Sequence, residues 1–193
     1  MVHKYNKIAI ILHWVMAICI IAMIAVGYVM VNVDLPKMLQ FELYQYHKSL
    51  GVCLLLAFFL RLLVRIISAK PKLPDAMKPY EKIAAKLGHL LLYILMFVMP
   101  FSGWLLISSS PYGLPTIVFG AFEFPHFPNI AGNHDVHELS ENAHEIMAYV
   151  FAAIILLHIA AVVKHYLIDH ENLLPRMGVG RAKQKTLEMK DKS

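Results

Sequence analysis

The chain has 193 residues, of which 59% are apolar and 16% are charged. Average globular proteins are about 45–50% apolar and about 25% charged, so this composition excludes an ordinary soluble domain and an intrinsically disordered chain. The 18 Lys and Arg residues exceed the 13 Asp and Glu residues, which gives a net charge of +5, and most of the basic residues lie beside apolar segments. It therefore indicates membrane topology and no nucleic-acid partner.

Four apolar segments make up nearly half of the chain. They span Ile8–Val31, Leu50–Ile67, Leu87–Ile107 and Ile146–Val163. Because a membrane-spanning helix needs about 20 mainly apolar residues, these segments predict an all-α fold, a transmembrane four-helix bundle. The predicted helices cover about 8–31, 47–67, 83–107 and 144–168. We expect a single domain over residues 1–175 and a basic tail over 176–193.

The first apolar segment follows Lys4 and Lys7, as in a secretory signal peptide. It runs for 24 residues without a small-x-small cleavage site, whereas the apolar core of a signal peptide has about 7–15 residues. We therefore expect it to be the first membrane helix.

The cysteine content excludes several metal centres. Cys19 and Cys53 both lie inside apolar segments and are typical of small packing residues. The chain has no C-x-x-C-H, so a covalently attached c-type haem is excluded, as are cysteine-ligated iron–sulfur clusters and structural zinc.

Lysine and arginine predict the orientation of the helices. Of the 18 basic residues, 16 flank the N-terminus, the second connection and the end of the last helix, while the first and third connections hold only Lys37 and Lys48. Cytoplasmic connections carry the excess of Lys and Arg. Both termini are therefore predicted to be cytoplasmic, with the first and third connections at the outer face.

The predicted outer face is acidic. Its carboxylates are Asp34, Glu42, Glu123, Asp135, Glu138, Glu141 and Glu145. Only two lysines oppose these seven acids, so an anionic molecule approaching this face is repelled.

Five of the 11 histidines lie within the apolar segments or at their outer edges: His13, His47, His89, His144 and His158. Ionisable residues at such depths are costly and are functional-site candidates by default. His144 and His158 are 14 residues apart on one helix. At about 100° and about 1.5 Å per residue, their rings leave nearly the same face about 21 Å apart.

Each of these two levels has an opposing histidine. His47 begins the second helix at the level of His144, and His13 lies in the inner half toward His158. Because haem iron accepts axial histidine, two haems can each be held between facing helices. The alternative is that these are hydrogen-bonded bundle histidines. By depth alone, His89 competes with His13 for the inner site.

Several motifs carry a resemblance over essentially the whole chain. They are ILHW at His13, YHKSLGV at His47, LGHLLLY at His89, P-x-S-G-W at Pro100–Trp104, and AHEIMAYVFAAIILLH ending at His158. Together they resemble the bacterial cytochrome b561 family of small inner-membrane proteins, which have four helices and two b haems.

The resemblance implies that His13, His47, His144 and His158 are the iron ligands. It also implies that His89 is not a ligand and has a role near a quinone. The implied activity is electron transfer between a donor at the outer face and the ubiquinone pool. Superoxide is one candidate donor, because a family member of similar length and topology passes electrons from superoxide to ubiquinone.

Three further residues acquire cofactor-binding roles by position. Gly51 lies one turn after His47, where a haem plane can approach the backbone, although ordinary helix packing explains it as well. Arg61 and Arg65 share a face at the inner end of the second helix and can pair with haem propionates. The alternative is that they reach lipid phosphates.

His165 lies seven residues beyond His158, about 10.5 Å nearer the cytoplasm. Quinone reduction consumes protons, and imidazole titrates near neutrality, so His165 and His89 are the predicted proton donors, with Lys86 and Lys164 nearby. The alternative for His165 is an interfacial histidine without a catalytic role.

The outer loop ends in NHDVHELSENAHE, where His134 and His137 accompany several acids. This cluster can bind a divalent metal, but a solvated helix start is the simpler interpretation.

Two other functions stay open at this point. One is an anchor subunit that exchanges electrons between quinone and a dehydrogenase or hydrogenase. The other is a haem-free metal transporter lined by histidine. A visible spectrum separates the transporter from the cytochrome, and co-purification of a redox partner identifies the anchor subunit.

Overall fold

The computed structural model describes residues 4–69, 71, 73–74 and 77–180. Four long helices follow one another: α1 (Lys7–Asn32), α2 (Lys37–Ile67), α3 (Pro79–Ser109) and α4 (His134–Leu167). Each is long and apolar enough to cross a membrane. This confirms the predicted four-helix transmembrane fold.

Two helices begin earlier than predicted, and the added residues make up about one-third of each helix. The prediction started the second helix at residue 47 and the fourth at 144, whereas α2 begins at Lys37 and α4 at His134. The added turns are rich in polar side chains, so hydropathy cannot detect them. The Asn133 side chain stabilises the start of α4 by accepting a hydrogen bond from the Val136 N–H at 3.1 Å.

The helices pack mainly as two pairs, α1 with α2 and α3 with α4, and α2 joins the pairs by contacting α3. Few side chains are buried between them, among them Met16, Leu55, Phe58 and Phe151. Many large apolar side chains instead point outward. That pattern is expected where lipid tails surround the bundle, because lipid is as apolar as leucine.

We call the end of the bundle that carries residues 110–133 the hairpin end. Two short antiparallel strands lie there, β1 (Thr116–Val118) and β2 (Phe122–Phe124), with Thr116 opposite Phe124. Ser49 on α2 holds the hairpin, since its hydroxyl accepts from the Phe119 N–H at 3.1 Å and lies 3.2 Å from the Ile117 carbonyl. The hairpin is the one β element among the described residues.

We call the opposite end, where α1 begins and α4 ends, the tail end. A single 3-10 turn at Leu174–Met177 folds back onto α1. The Trp14 indole N–H donates to the Met177 carbonyl at 2.9 Å, and the Tyr5 N–H donates to the Arg176 carbonyl at 3.2 Å. Of the predicted basic tail 176–193, residues 181–193 lie outside the described residues.

Candidate functional site

The first histidine pair lies toward the hairpin end. His47 on α2 faces His144 on α4, with ring centres 6.3 Å apart and ring planes inclined by 73°. Two metal–imidazole bonds of about 2.0 Å each, extended to the ring centres, span about 6 Å. This separation can hold one metal ion between two ring nitrogens.

Each ring of this pair lies against a glycine of another helix. A Cβ at Gly27 of α1 would lie 3.5 Å from His47 Cε1, and one at Gly103 of α3 would lie 3.0 Å from His144 Cε1. Sequence patterns do not reveal these two contacts, because each joins distant parts of the chain, although Gly103 belongs to the P-x-S-G-W motif. Gly51, singled out by position, has its nearest contact at 3.8 Å from Met23 Cε, so its approach to a haem stays a prediction.

Three histidines meet in the half of the bundle near the tail end. His158 on α4 has its ring centre 6.4 Å from that of His13 on α1 and 5.7 Å from that of His89 on α3. The His13–His158 distance suits a metal ion in the same way as the first pair. His89 lies as close to His158 as His13 does, so it stays an alternative ligand at this site, as its depth along the helix predicted.

Arg61 on α2 reaches this second site. Its Nη2 lies 3.0 Å from His13 Nδ1, and the guanidinium lies 5.8 Å from the centre of the Tyr93 ring. The Nε and Nη1 of Arg61 are buried without a hydrogen-bond partner among the described residues. Unpaired donors on a buried cation are costly, and an anionic carboxylate that accepts from either nitrogen would offset that cost.

Arg65 does not share these contacts, although it lies one turn further along α2. Its guanidinium lies 5.8 Å from the centre of the Tyr5 ring, and the side chain lines a cavity at the edge of the bundle. The two arginines therefore differ in surroundings despite their common helix face.

The ring separations at both levels fit a haem. At the second level, binding of iron by His13 Nε2 requires the contact of Arg61 with Nδ1 to open, because a guanidinium can only donate. Neutral imidazole is a competent iron ligand, and both facing pairs have the separation that a shared metal ion needs. The unpaired donors of Arg61 suit a propionate, and His47 Nδ1 is likewise buried without a partner among the described residues.

An apolar cavity of about 850 Å³ opens between α2 and α3 beside the second site. Its walls are largely Phe58, Phe59, Phe97 and neighbouring aliphatic side chains, while its polar lining comes from Tyr5, Arg65, Lys86, His89 and Tyr93. Such a volume lies within the usual range for a small-molecule site, about 300–1,000 Å³.

A charged cluster joins α3 to α4 at the tail end. The Lys164 ammonium donates to the Glu81 carboxylate and, at 2.8 Å, to Asp169 Oδ2. His165 Nδ1 lies 2.6 Å from the same Asp169 oxygen. Glu81, His165 and Asp169 are spaced closely enough to hold a metal ion, but Lys164 already supplies the positive charge between the acids. His165 is 8% exposed and pairs with Asp169, not with His89.

This cluster should keep its contribution to stability in mildly acidic solution. Hydrogen bonds from Lys164 and then from His165 lower the pKa of the Asp169 carboxyl below its ordinary value. A group with a lowered pKa stabilises the fold above its unfolded-state pKa and loses that effect as pH falls through the folded value. We expect Asp169→Asn to lower the melting temperature by as much at pH 5 as at pH 7. Below about pH 4 the difference from the wild type should become smaller. A difference that disappears by pH 5 in thermal melts would contradict this.

The two histidines of the acidic outer segment have different partners. His134 Nδ1 lies 3.8 Å from Glu138 Oε2, with both side chains exposed, whereas His137 Nδ1 lies 3.2 Å from the Leu106 carbonyl oxygen. These contacts favour the solvated helix start over a shared metal site.

A membrane-spanning four-helix bundle with facing histidine pairs at two levels is the arrangement expected of a membrane cytochrome of the b type. Comparison with known proteins gives the family. Residues 4–180 match the family model described as prokaryotic cytochrome b561. The chain belongs to this family of integral membrane electron-transfer proteins, and membership implies that it binds haem b.

Three relatives are similar to the chain over nearly their full lengths. "Cytochrome b561 homolog 2" of Escherichia coli (strain K12) is 32% identical over 174 residues, covering 90% of each chain. "Cytochrome b561 homolog 1" of the same organism is 25% identical over 91% of this chain and 97% of its own. "Probable superoxide oxidase CybB" of Yersinia pestis is 25% identical over 90% of this chain and 95% of its own.

Proposed function

We propose that the protein is a di-haem b cytochrome of the bacterial inner membrane that transfers electrons between a donor at the outer face and the quinone pool. The observation that carries the proposal is the pair of ring separations, 6.3 Å for His47 with His144 and 6.4 Å for His13 with His158. Two equivalent histidine pairs within one bundle would hold two haems, and electrons could cross the membrane by passing from one haem to the other.

The protein residues bind and orient, while haem supplies one-electron chemistry when bound. His47 and His144 would hold the outer haem, and His13 and His158 the inner one. Arg61 would neutralise a propionate through one of its unpaired donors, Nε or Nη1. Arg65, which lines the cavity, would add positive charge at the inner edge.

The cavity between α2 and α3 supports a quinone site beside the inner haem. Its apolar walls suit an isoprenoid quinone entering from lipid, and His89 lies at its polar end. Lys86 on the same lining adds positive charge where a reduced quinone oxygen needs stabilisation. In this proposal His89 donates a proton to the quinone, and His165 with Asp169 collects protons from the cytoplasmic side.

The proposed orientation follows from the basic residues. The tail end faces the cytoplasm, because the positively charged flanks lie there, and the hairpin end faces the periplasm. Quinone reduction then takes its protons from the cytoplasm, while electrons enter at the opposite face.

The test of the proposal is a quantitative visible spectrum of the purified protein. We expect b-type absorption bands and two haems per chain in a pyridine haemochrome assay, with full reduction by a water-soluble ubiquinol. A colourless protein that binds divalent cations would establish the transporter instead. A dehydrogenase or hydrogenase that co-purifies in fixed ratio would establish the anchor subunit.

The similarity to a relative named as a probable superoxide oxidase supports superoxide as a donor, but the outer charges oppose it. Seven acids face two lysines, and the Lys48 ammonium is engaged with the Pro115 carbonyl at 3.2 Å. An anion is repelled by such a face, an effect of about tenfold or more on association rates that weakens as salt rises.

We therefore expect superoxide to reduce the haems at a rate that rises with ionic strength. Stopped-flow measurements at several salt concentrations test this, with a neutral reductant as the control that should show no salt dependence. A rate that is fast in low salt and falls on adding salt would show that a positive patch guides superoxide despite the acidic face.

A further inference from the structure

The P-x-S-G-W motif of α3 lies directly behind one ligand of the outer site. Ser102, 5% exposed, has its hydroxyl oxygen 2.9 Å from His144 Nδ1. A Cβ at the next residue, Gly103, would lie 3.0 Å from His144 Cε1, which is the shortest such distance to a side chain among the described glycines. Two consecutive residues of α3 thus lie against one histidine of α4.

The direction of the Ser102–His144 hydrogen bond follows from the other bond of the hydroxyl. Ser102 donates to the Met99 carbonyl at 2.8 Å, and a hydroxyl has only one proton to donate. Toward His144 it must therefore accept, which requires the hydrogen of the ring to be on Nδ1. This is the tautomer in which Nε2 keeps its lone pair.

The opposing ligand has no such support. His47 Nδ1 is buried without a hydrogen-bond partner among the described residues. The glycine beside its ring, Gly27, also leaves more room. A Cβ at Gly27 would lie 3.5 Å from His47 Cε1, whereas one at Gly103 would lie 3.0 Å from His144 Cε1. The two sides of the outer site therefore differ, and α3 orients only His144.

We propose that Ser102 and Gly103 are positioning residues for His144, holding its ring with Nε2 unprotonated and directed to the outer haem iron. The proposal rests on the proposed function, because it assumes a haem between His47 and His144. Partners that accept from a ligand's second ring nitrogen orient the ring and raise its basicity, and losing one typically weakens metal binding about 10–100-fold. Ser102 thereby helps to set both the affinity and the potential of the outer haem.

The hydroxyl is tested with Ser102→Ala in the full-length haem-loaded protein. We expect the outer haem to be lost to excess apomyoglobin about tenfold more readily, and its midpoint potential to rise, because a less basic imidazole stabilises ferric iron less. The inner haem should keep its affinity and potential. Ser102→Thr should restore both properties, since a threonine hydroxyl on a helix can also bond to a preceding carbonyl.

Ser108→Ala is the matched control for the hydroxyl. Ser108 lies on the same helix, is 2% exposed and donates to the Trp104 carbonyl at 2.7 Å, but it has no hydrogen bond to a histidine among the described residues. It should leave both haems unchanged. If it shifts the outer haem as much as Ser102→Ala does, the effect is general packing and the proposal is wrong.

Gly103→Ala tests the close approach independently of the hydroxyl. The added methyl would lie 3.0 Å from His144 Cε1, so the ring must move. Alanine is the better helix former by about 1 kcal/mol, so weaker outer-haem binding cannot be attributed to helix propensity. We expect an altered electron paramagnetic resonance signal from the ferric outer haem. Gly88→Ala on the same helix has nothing within 4 Å of its Cβ and should leave that signal unchanged.

Failure of this inference and failure of the proposed function give different results. Wild-type protein without haem would refute the proposed function. Wild-type protein with two haems, combined with Ser102→Ala and Gly103→Ala variants whose outer haem has normal affinity, potential and resonance signal, would refute only the positioning roles.

Discussion

Replacing His144 with alanine should reduce the haem content from two per chain to one, and His47→Ala should have the same effect. Each variant removes one side of a pair whose ring centres lie 6.3 Å apart, and no other histidine ring among the described residues contacts either of them. The inner site takes its histidines from a different level of the bundle. Its haem should therefore stay bound with an unchanged potential.

The haem stoichiometry of each purified variant, followed by a redox titration, measures this effect. His137→Ala is a suitable control, because His137 lies seven residues before His144 on α4 and bonds to the Leu106 carbonyl instead of facing a ring. It should retain two haems. Two haems in His47→Ala or His144→Ala would refute the outer pairing.

Replacing His89 with alanine should retain both haems but slow quinone turnover by about 100-fold or more, the usual contribution of a general acid or base. His89 lines the cavity between α2 and α3 and also lies beside His158. In the proposed function it delivers a proton to the quinone and does not bind iron. The rate at which ubiquinol reduces the haems is the direct measurement.

His13→Ala is the informative comparison, because both His13 and His89 lie beside His158 at similar distances. We expect His13→Ala to lose the inner haem and His89→Ala to keep it. The reverse result would make His89 the ligand and leave His13 as a partner of Arg61, whose Nη2 already lies 3.0 Å from His13 Nδ1.

The charged cluster at the tail end shows how far the position of a residue along a helix can predict its role. The sequence placed His165 about two turns beyond His158, near an inner haem edge, and gave no reason to select Asp169. In the structure Asp169 is the partner of both His165 and Lys164. The i,i+4 spacing of His165 and Asp169 is a local signal that could have found this contact. The link to Glu81 joins two helices and has no such signal.

The sequence by itself determined the number of membrane helices and the two levels at which histidines occur. Both are local properties, since hydropathy is read within one segment and the 14-residue spacing of His144 and His158 follows from the periodicity of one helix. The tertiary structure decided which side chains face each other. Ser102 and His144 are 42 residues apart, and Arg61 and His13 are 48 apart. The rotation of one helix against another sets such contacts, and no pattern within a single helix contains that rotation.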